Sequence, residues 1–441
     1  MAMLKRLLPA KLLKLIRPYY HGAVAWVFSW CYGRPAARLV VIGVTGTAGK
    51  SSTVQILAHI LNRSGRICGY STTVDFFDGR KHETNKHGLS MPNERLLQKQ
   101  LKAMVRAGCR YAIVECTSEG LAQNRHLGIN FDAALFTNLS RAHLEAHGSY
   151  GNYQAAKARL FAALGRGRKK AFCPEKILGV NCDDPMAGYY LSFAAARKFG
   201  VSFKGVQAPD AEKVFTGSRV RAGWQTEFLL DNQRFFLDWP GEFNAQNAAL
   251  AAACASYLGV GLTDSAAALQ TFRGVPGRME SVNNSLGFQI IVDYGCEPVS
   301  IKSALESAVL LPHRRLIHVF GATGGHRDAE KRFLFGHISA QFADEIVVTN
   351  DDVYDSNPQA IADRIVAGIL DFKLRQPPYR VVLDRRQAIA AALRSAQSND
   401  LVLITGKGSE QFLVLPDNQR IDWEDARVVR EELAKLEAAR P

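Results

Sequence analysis

Leu39-Val-Val-Ile-Gly43-Val-Thr-Gly46-Thr-Ala-Gly49-Lys50-Ser51-Ser52-Thr53 decides the fold class of this 441-residue chain. Leu39 to Val44 is an apolar run with one glycine, the composition of a strand buried on both faces. Helical spacing follows over Ser52 to Leu61 and stops at Gly65, so strand, glycine loop and helix open a βαβ unit. In such a loop the glycines let backbone N–H groups approach phosphate oxygens, and the helix N-terminus adds positive potential. Lys50 can reach the outer phosphates, and the Ser51 hydroxyl can hold a divalent cation. The spacing departs from the strict phosphate-loop pattern, which would place a glycine at Val44. Gly46, Thr47, Gly49, Lys50, Ser51 and Ser52 are the candidate nucleotide ligands.

Outward from this stretch the α/β pattern continues. Tyr111 to Glu115 and Ala133 to Thr137 read as buried strands ending in polar residues, and the ends of parallel strands are where ligands sit. An alanine-rich helix over Ala245 to Leu258 leads to Val275-Pro-Gly-Arg-Met-Glu280, where the periodicity breaks. New strands follow at Phe288–Tyr294, Leu316–Gly321, Glu345–Thr349, Tyr379–Leu383 and Leu401–Thr405, with helical stretches between several of them. The pattern predicts a basic arm over 1–37, a central domain with a parallel sheet over 38–275 and a second doubly wound domain over 276–441.

Composition sets the outer bounds. With 47% apolar and 22% charged residues the chain is neither disordered, collagenous nor a coiled coil, and its length predicts two or three domains. The net charge of +14 is uneven: Lys5, Arg6, Lys11, Lys14, Arg17, Arg34 and Arg38 lie in the first 38 residues, which hold no acidic residue. The body is only mildly basic, which argues against a dedicated nucleic-acid binder. Eight scattered cysteines form no C-x-x-C pair, and reduced thiols in a cytoplasmic setting are expected. Gly22 to Tyr32 is apolar but shorter than the roughly 20 residues of a spanning helix. Two readings of the arm follow. It is a helix packed on the body, or a helix lying on the anionic inner face of a membrane through Trp26 and Trp30 and the cations beside them.

The register of Gly43 to Thr53 resembles that of the Mur ligase family, ATP-dependent amide ligases of peptidoglycan-precursor synthesis. Segments in the same order agree: Glu115-Cys-Thr-Ser118-Glu-Gly-Leu121, Thr137-Asn138-Leu-Ser-Arg-Ala-His143-Leu-Glu-Ala-His147-Gly148, Tyr153-Gln-Ala-Ala-Lys157, Phe243-Asn244-Ala-Gln-Asn247, Gly277-Arg278-Met-Glu280 and Gly406-Lys407-Gly408-Ser-Glu410. Together they are most similar to the branch that adds the third residue of the stem peptide. The resemblance implies a phosphate-loop central domain and a Rossmann-like C-terminal domain, with ATP and Mg²⁺ as cofactors. A carboxylate attacks the γ-phosphate of ATP to give an acyl phosphate, and an amine displaces phosphate. Charge builds on phosphoryl and carbonyl oxygens, so cations and helix N-termini are needed there.

By the same resemblance Ser51, Glu115, His143 and Lys157 form the metal and catalytic set, with Lys157 carbamylated. Asn138 and Asn247 fall near the adenine, and Arg278 and Asp293 at the nucleotide in the hinge and C-terminal domain. The acceptor is held by Ser90 of Ser90-Met91-Pro92 and by Thr117, Ser118 and Arg125. The amino acid is held by Arg327, Asp352, Tyr354, Gly406 and Glu410.

Three departures stand out. Ala142 replaces the acidic residue before the metal-site histidine, and Cys296 replaces the histidine of the strand-end motif Asp293-Tyr294-Gly295-Cys296. About forty residues precede the phosphate loop where the family carries a UDP-binding domain, so the acceptor is expected to be a muramyl-peptide-like carboxylate gripped differently, or a non-UDP acyl acceptor. A non-catalytic ATP-binding partner of cell-wall enzymes is the reading from another class, and the retained Lys50, Glu115, His143 and Lys157 favour an enzyme. Diaminopimelate-adding members use Asp-Asn-Pro-Arg; here the segment is Asn350-Asp351-Asp352-Val353-Tyr354, so the arginine position falls on Tyr354. The pocket has lost a positive group and gained a negative one, which predicts lysine or ornithine over diaminopimelate.

Overall fold

The computed structural model describes residues 10–86, 88–140, 147–173, 175–325 and 329–438, with side chains from residue 16 onward. The chain forms two units. One comprises Met1–Val220, Phe228–Phe236 and Ala245–Phe272; the other comprises Arg221–Glu227, Leu237–Asn244 and Arg273–Pro441.

The first large sheet has eleven strands. They are β1 (Val40–Thr45), β2 (Cys68–Ser71), β3 (Asp75–Phe77), β4 (His82–Thr84), β5 (Tyr111–Glu115), β6 (Ala133–Phe136), β7 (Ile177–Asn181), β8 (Arg197–Ser202), β9 (Lys213–Ala222), β10 (Thr226–Leu230) and β11 (Gln233–Leu237), in the order β11-β10-β9-β8-β7-β6-β1-β5-β2-β3-β4. From β2 to β9 the pairings are parallel, and the hairpin strands β3 and β4 extend the edge antiparallel. Strands β1, β2, β6 and β7 are buried at every residue; β1 and β6 read accordingly as apolar runs, while β2 and β7 lie outside the strands expected from the sequence.

Five helices frame the site: α1 (Ala10–Cys31), α2 (Lys50–Arg63), α3 (Glu94–Arg106), α4 (Ser118–Ala122) and α5 (Tyr150–Arg166). Side chains cap three of them. Asn93 accepts from Leu96 N, Thr117 from Gly120 N and Ser149 from Asn152 N. Helix α2 starts at Lys50, two residues before the sequence pattern suggested, because Gly49 takes φ +78° and turns the chain directly into the helix. Helix α1 packs through one face only, burying Gly22, Ala25 and Ser29.

The second unit is built on a sheet ordered β12-β13-β17-β14-β15-β16. Its strands are β12 (Glu280–Ser281), β13 (Gln289–Asp293), β14 (Leu316–Phe320), β15 (Glu345–Val348), β16 (Tyr379–Val381) and β17 (Leu401–Thr405). All pairings are parallel except that of β12. A hairpin of β18 (Phe412–Val414) and β19 (Arg420–Asp422) follows. The five strands expected between Phe288 and Thr405 are all present, within three residues of their predicted ends. Asp293 ends β13, and Asn350 to Asp352 and Gly406 to Glu410 lie just beyond the carboxyl ends of β15 and β17, the edge at which open parallel sheets bind ligands.

Candidate active site

The glycine loop between β1 and α2 is held by its neighbours rather than by itself. Thr47 N donates to Asn138 O (2.9 Å) and Ala48 N to Asn138 Oδ1 (2.9 Å), while Asn138 Nδ2 and Thr137 Oγ1 both donate to Ala48 O at 3.1 and 2.7 Å. A Cβ on Gly46 would lie 1.9 Å from Thr137 Oγ1, and one on Gly49 2.3 Å from Asn247 Oδ1, so these glycines are required by close approach. Asn138 and Asn247 therefore sit on the loop and at the helix start. The side chain of Lys50 folds back, Nζ donating to Thr47 O at 2.8 Å. No acidic residue occupies the first turn of α2, which leaves the positive helix end uncompensated by any side chain of that turn.

Beside the loop, β5 delivers Glu115, buried to 2% exposure. It accepts from Ser51 Oγ at 2.7 Å through Oε2, and from Thr73 N and Thr73 Oγ1 at 2.9 Å each. Helix α5 delivers Lys157, equally buried, whose Nζ donates to Gly46 O at 2.7 Å and stands 4.6 Å from the Tyr153 ring centre. Burial and the nearby Lys50 charge hold the Lys157 amine well below the ordinary lysine value, and they outweigh the pull of Glu115 and Cys116. The structure thus brings Lys50, Ser51, Glu115 and Lys157 together at the ends of β1 and β5. His143 lies outside the described residues, as does Ala142. Among the described residues no cluster of three or more His, Cys, Asp or Glu side chains forms a metal cage. Hydroxyl and carboxylate oxygens 2.7 Å apart nonetheless suit Mg²⁺, which takes few protein ligands and fills its octahedron with water and phosphate oxygens.

Among the residues expected to hold the acceptor, Arg125 Nη1 donates to Met91 O (2.8 Å), drawing the Ser90-Met91-Pro92 loop to the turn after α4. Thr117 caps α4, and Ser118 Oγ hydrogen-bonds His147 Nε2 at 3.0 Å. Four of the contributing groups carry no role in the sequence reading: Thr73, Thr137, Tyr153, which shares a 3.0 Å hydrogen bond with Thr47 Oγ1, and His147. Thr73 stands just past the end of β2, and that strand-end position was the available signal.

In the second unit Asp293 accepts from Met279 N (2.9 Å) and Gly295 N (2.7 Å), and its carboxyl is raised by burial against the pull of Arg278 and these N–H groups. The Arg278 guanidinium lies 4.0 Å from the Tyr294 ring centre, and its buried Nε has no hydrogen-bond acceptor among the described residues. Around Lys407 gather three carboxylates: Asp352 Oδ1 at 2.8 Å, Asp351 Oδ1 at 3.9 Å, and Glu410 in a short contact. Burial opposes the Lys407 charge, but Glu410, Asp351 and Asp352 outweigh it and raise its pKa above that of an ordinary lysine. Burial is also the main reason the Glu410 and Asp351 carboxyls are raised. Glu410 Oε1 accepts from Tyr294 OH at 3.0 Å, and Tyr354 holds φ +54° beside this cluster in sequence. Burial, with the Glu297, Glu410 and Asp351 charges, pushes the Cys296 thiol up to about 12, so it is a neutral group here.

A fully buried pair braces the cluster. Arg385 Nε and Nη2 donate to the two Asp425 oxygens at 2.8 and 2.6 Å, while Nη1 and Nη2 reach Asn350 O (3.3 Å) and Thr405 O (2.9 Å). Asp425 Oδ2 also accepts from Gly408 N at 3.2 Å. Arg327 lies outside the described residues.

A phosphate-binding strand-loop-helix in one parallel sheet, followed along the chain by a second Rossmann-like sheet with a polar cluster at its strand ends, defines a nucleotide-using α/β enzyme. Comparison narrows the class. The Mur ligase middle domain matches residues 44–255, and the Mur ligase glutamate ligase domain matches residues 277–408. The chain is 36% identical over 416 residues to a UDP-N-acetylmuramoyl-L-alanyl-D-glutamate–2,6-diaminopimelate ligase of Gloeobacter violaceus, covering 94% of this chain and 81% of that one. It is 35% identical over 431 residues to a UDP-N-acetylmuramyl-tripeptide synthetase of a Roseiflexus species, covering 95% and 83%. A solved structure of a UDP-N-acetylmuramoyl-L-alanyl-D-glutamate–2,6-diaminopimelate ligase superposes with TM-score 0.60 at 26% identity, over 90% of this chain and 79% of that chain. The fold is shared with a MurF ligase from Thermotoga maritima in complex with ADP, at TM-score 0.62, 17% identity and coverage of 95% and 84%. The chain belongs to the Mur ligase family and is an ATP-dependent amide ligase.

Proposed function

We propose that this ligase joins an amino acid to a muramyl-peptide carboxylate during peptidoglycan-precursor synthesis, in the manner of the tripeptide synthetases. The observation that carries the reading is the convergence of Lys50, Ser51, Glu115 and Lys157 beside the open N-terminus of α2. The N–H groups of Gly49 and the first turn of α2, with the Lys50 ammonium, would bind the β- and γ-phosphates. An acceptor carboxylate oxygen attacks the γ-phosphorus and ADP leaves. The amine then attacks the acyl carbon, phosphate departs with the bonding pair, and the nitrogen gives up a proton. Ser51, Glu115, His143 and a carbamylated Lys157 would hold Mg²⁺, which would neutralise charge on the phosphates. Burial and the Lys50 charge lower the Lys157 pKa, which favours the neutral amine, the form that adds CO₂.

In this reading Ser90, Thr117, Ser118 and Arg125 hold the acceptor, and Asn138, Asn247, Arg278 and Asp293 hold the nucleotide. Arg327, Asp352, Tyr354, Gly406 and Glu410 hold the amino acid. Three carboxylates facing Lys407 support a substrate with a distal ammonium, lysine or ornithine. The working division is an arm over 1–37, a central domain over 38–275 and a C-terminal domain over 276–441. The enzyme would act in the cytoplasm, with the arm touching the inner membrane face. ADP release measured over a panel of amino acids, with and without UDP-muramyl-dipeptide, tests the assignment. Turnover that requires the UDP-dipeptide supports it, and turnover only with an acceptor lacking UDP overturns the acceptor.

A further inference from the structure

Helix α1 uses half of its circumference. Its packed face carries Gly22, Ala25 and Ser29: Ser29 Oγ donates to Gly128 O (3.0 Å), His21 Nδ1 pairs with Glu94 Oε1 (2.6 Å), and Asn124 Nδ2 reaches Pro18 O (3.2 Å). The opposite face carries Ile16, Tyr19, Tyr20, Trp26, Val27 and Trp30, all exposed, at the three-and-four spacing of one helical stripe. Tyr19 is 75% exposed and Trp30 67%, so large rings stand in water where a packed surface helix would present polar groups.

Charge identifies what covers this stripe. Residues 1–38 contain seven Lys and Arg and no Asp or Glu, and the Arg34 guanidinium sits 5.2 Å from the Trp30 ring centre. A second copy docked by the same face would bring two basic segments together with no acid in either to pair their cations. An anionic bilayer answers both halves of the stripe, headgroups to the cations and the acyl boundary to the rings, and Trp and Tyr favour that boundary. Among the described residues no helix is long and apolar enough to cross a membrane.

We propose that the exposed face of α1 is a docking surface for anionic phospholipid, on which the helix lies in the interfacial plane with its rings sunk about 5–10 Å. This deepens the membrane contact given above by naming the face and the lipid. It is tested without ATP or acceptor, so its failure leaves the ligase assignment intact. The full chain is sedimented with vesicles of phosphatidylcholine and phosphatidylglycerol, and with vesicles of phosphatidylcholine alone. Binding should require phosphatidylglycerol and weaken with salt. Trp26→Ser/Trp30→Ser should lower partitioning by at least about tenfold, and each Lys→Gln change at Lys11 or Lys14 by roughly fivefold. Both tryptophans are exposed, and an unchanged melting temperature confirms the fold. Brominated phosphatidylglycerol should quench tryptophan fluorescence in the wild type and not in the double variant. Equal binding by wild type and double variant overturns the proposal. So does a concentration-dependent dimer that ignores vesicles and is dissolved by the same two substitutions.

Discussion

Replacing Asp352 by asparagine and Tyr354 by arginine in one chain should reverse the choice of amino acid. Lys407 faces Asp351, Asp352 and Glu410, and Arg385, also buried, is committed to Asp425. The two changes remove one negative charge and add one positive charge. At a separation of about 6 Å and an effective dielectric of about 20, a unit charge acts on a substrate's distal group by about 3 kcal/mol, and exposure of the pocket reduces this. Even about half of that per change is roughly tenfold, so the ratio of kcat/KM for lysine to that for diaminopimelate should swing by about a hundredfold or more. Asparagine keeps an oxygen for Val414 N, which Asp352 Oδ1 now accepts at 2.8 Å. Arginine at φ +54° is strained no more than tyrosine there. The assay is ADP release with lysine, ornithine and diaminopimelate as the varied substrate for both proteins. A wild-type preference for diaminopimelate, or a ratio unmoved in the double variant, refutes the placement of these residues in the pocket.

Three further outcomes are expected. Lys50→Ala should reduce ADP formation at least about a thousandfold with the melting temperature nearly unchanged, since the lysine's 2.8 Å bond to Thr47 O is local and its task is transition-state charge; wild-type turnover would sink the phosphate-loop assignment. Lys157→Ala should be nearly inactive and partly restored by formate or acetate, which replace the missing anion; normal turnover would remove the carbamate. Burial holds His318 at about 3, so its ring is neutral when folded while the unfolded chain takes a proton below about 6.5. Stability of the second unit is therefore full above that pH and falls as pH drops toward 3, by about 1.4 kcal/mol per pH unit from this group. His318→Gln, able to bond Ser339 and Thr405 as the ring does, should remove that slope in urea unfolding at several pH values, and an unchanged slope would refute the account.

The loop at Gly46 to Ser52 was legible because its chemistry is local: the glycines, the lysine and the hydroxyls are consecutive, and a strand and a helix flank them. Thr73 was not, because its contact with Glu115 arises only when β2 and β5 are neighbours in the sheet, and strand order is not written in the local pattern. The same holds for Asp351 and Lys407, which leave β15 and β17 on opposite sides of β14. Lys157 carries a local signal of its own. Tyr153, Ala156, Leu160, Phe161 and Leu164 form the buried stripe of α5, and Lys157 stands within it, where a solvated lysine has no place. Strands β9 to β11 and the hairpin β3–β4 escaped the sequence reading because exposed residues alternate with or replace buried ones there, without the long apolar runs that mark the parallel strands.

The buried Arg385–Asp425 pair separates what must stay fixed from what is free to drift. Its guanidinium and carboxylate hold main-chain atoms of Asn350, Thr405 and Gly408, so the shape of the pocket floor is set by two side chains outside the segment that differs from Asp-Asn-Pro-Arg. On the proposed placement of residues 352 and 354 in the amino-acid pocket, a change of substrate preference would need those two side chains alone, with the scaffold beneath them intact. In that placement a new substrate would require no new fold, only a new pair of letters on an old frame.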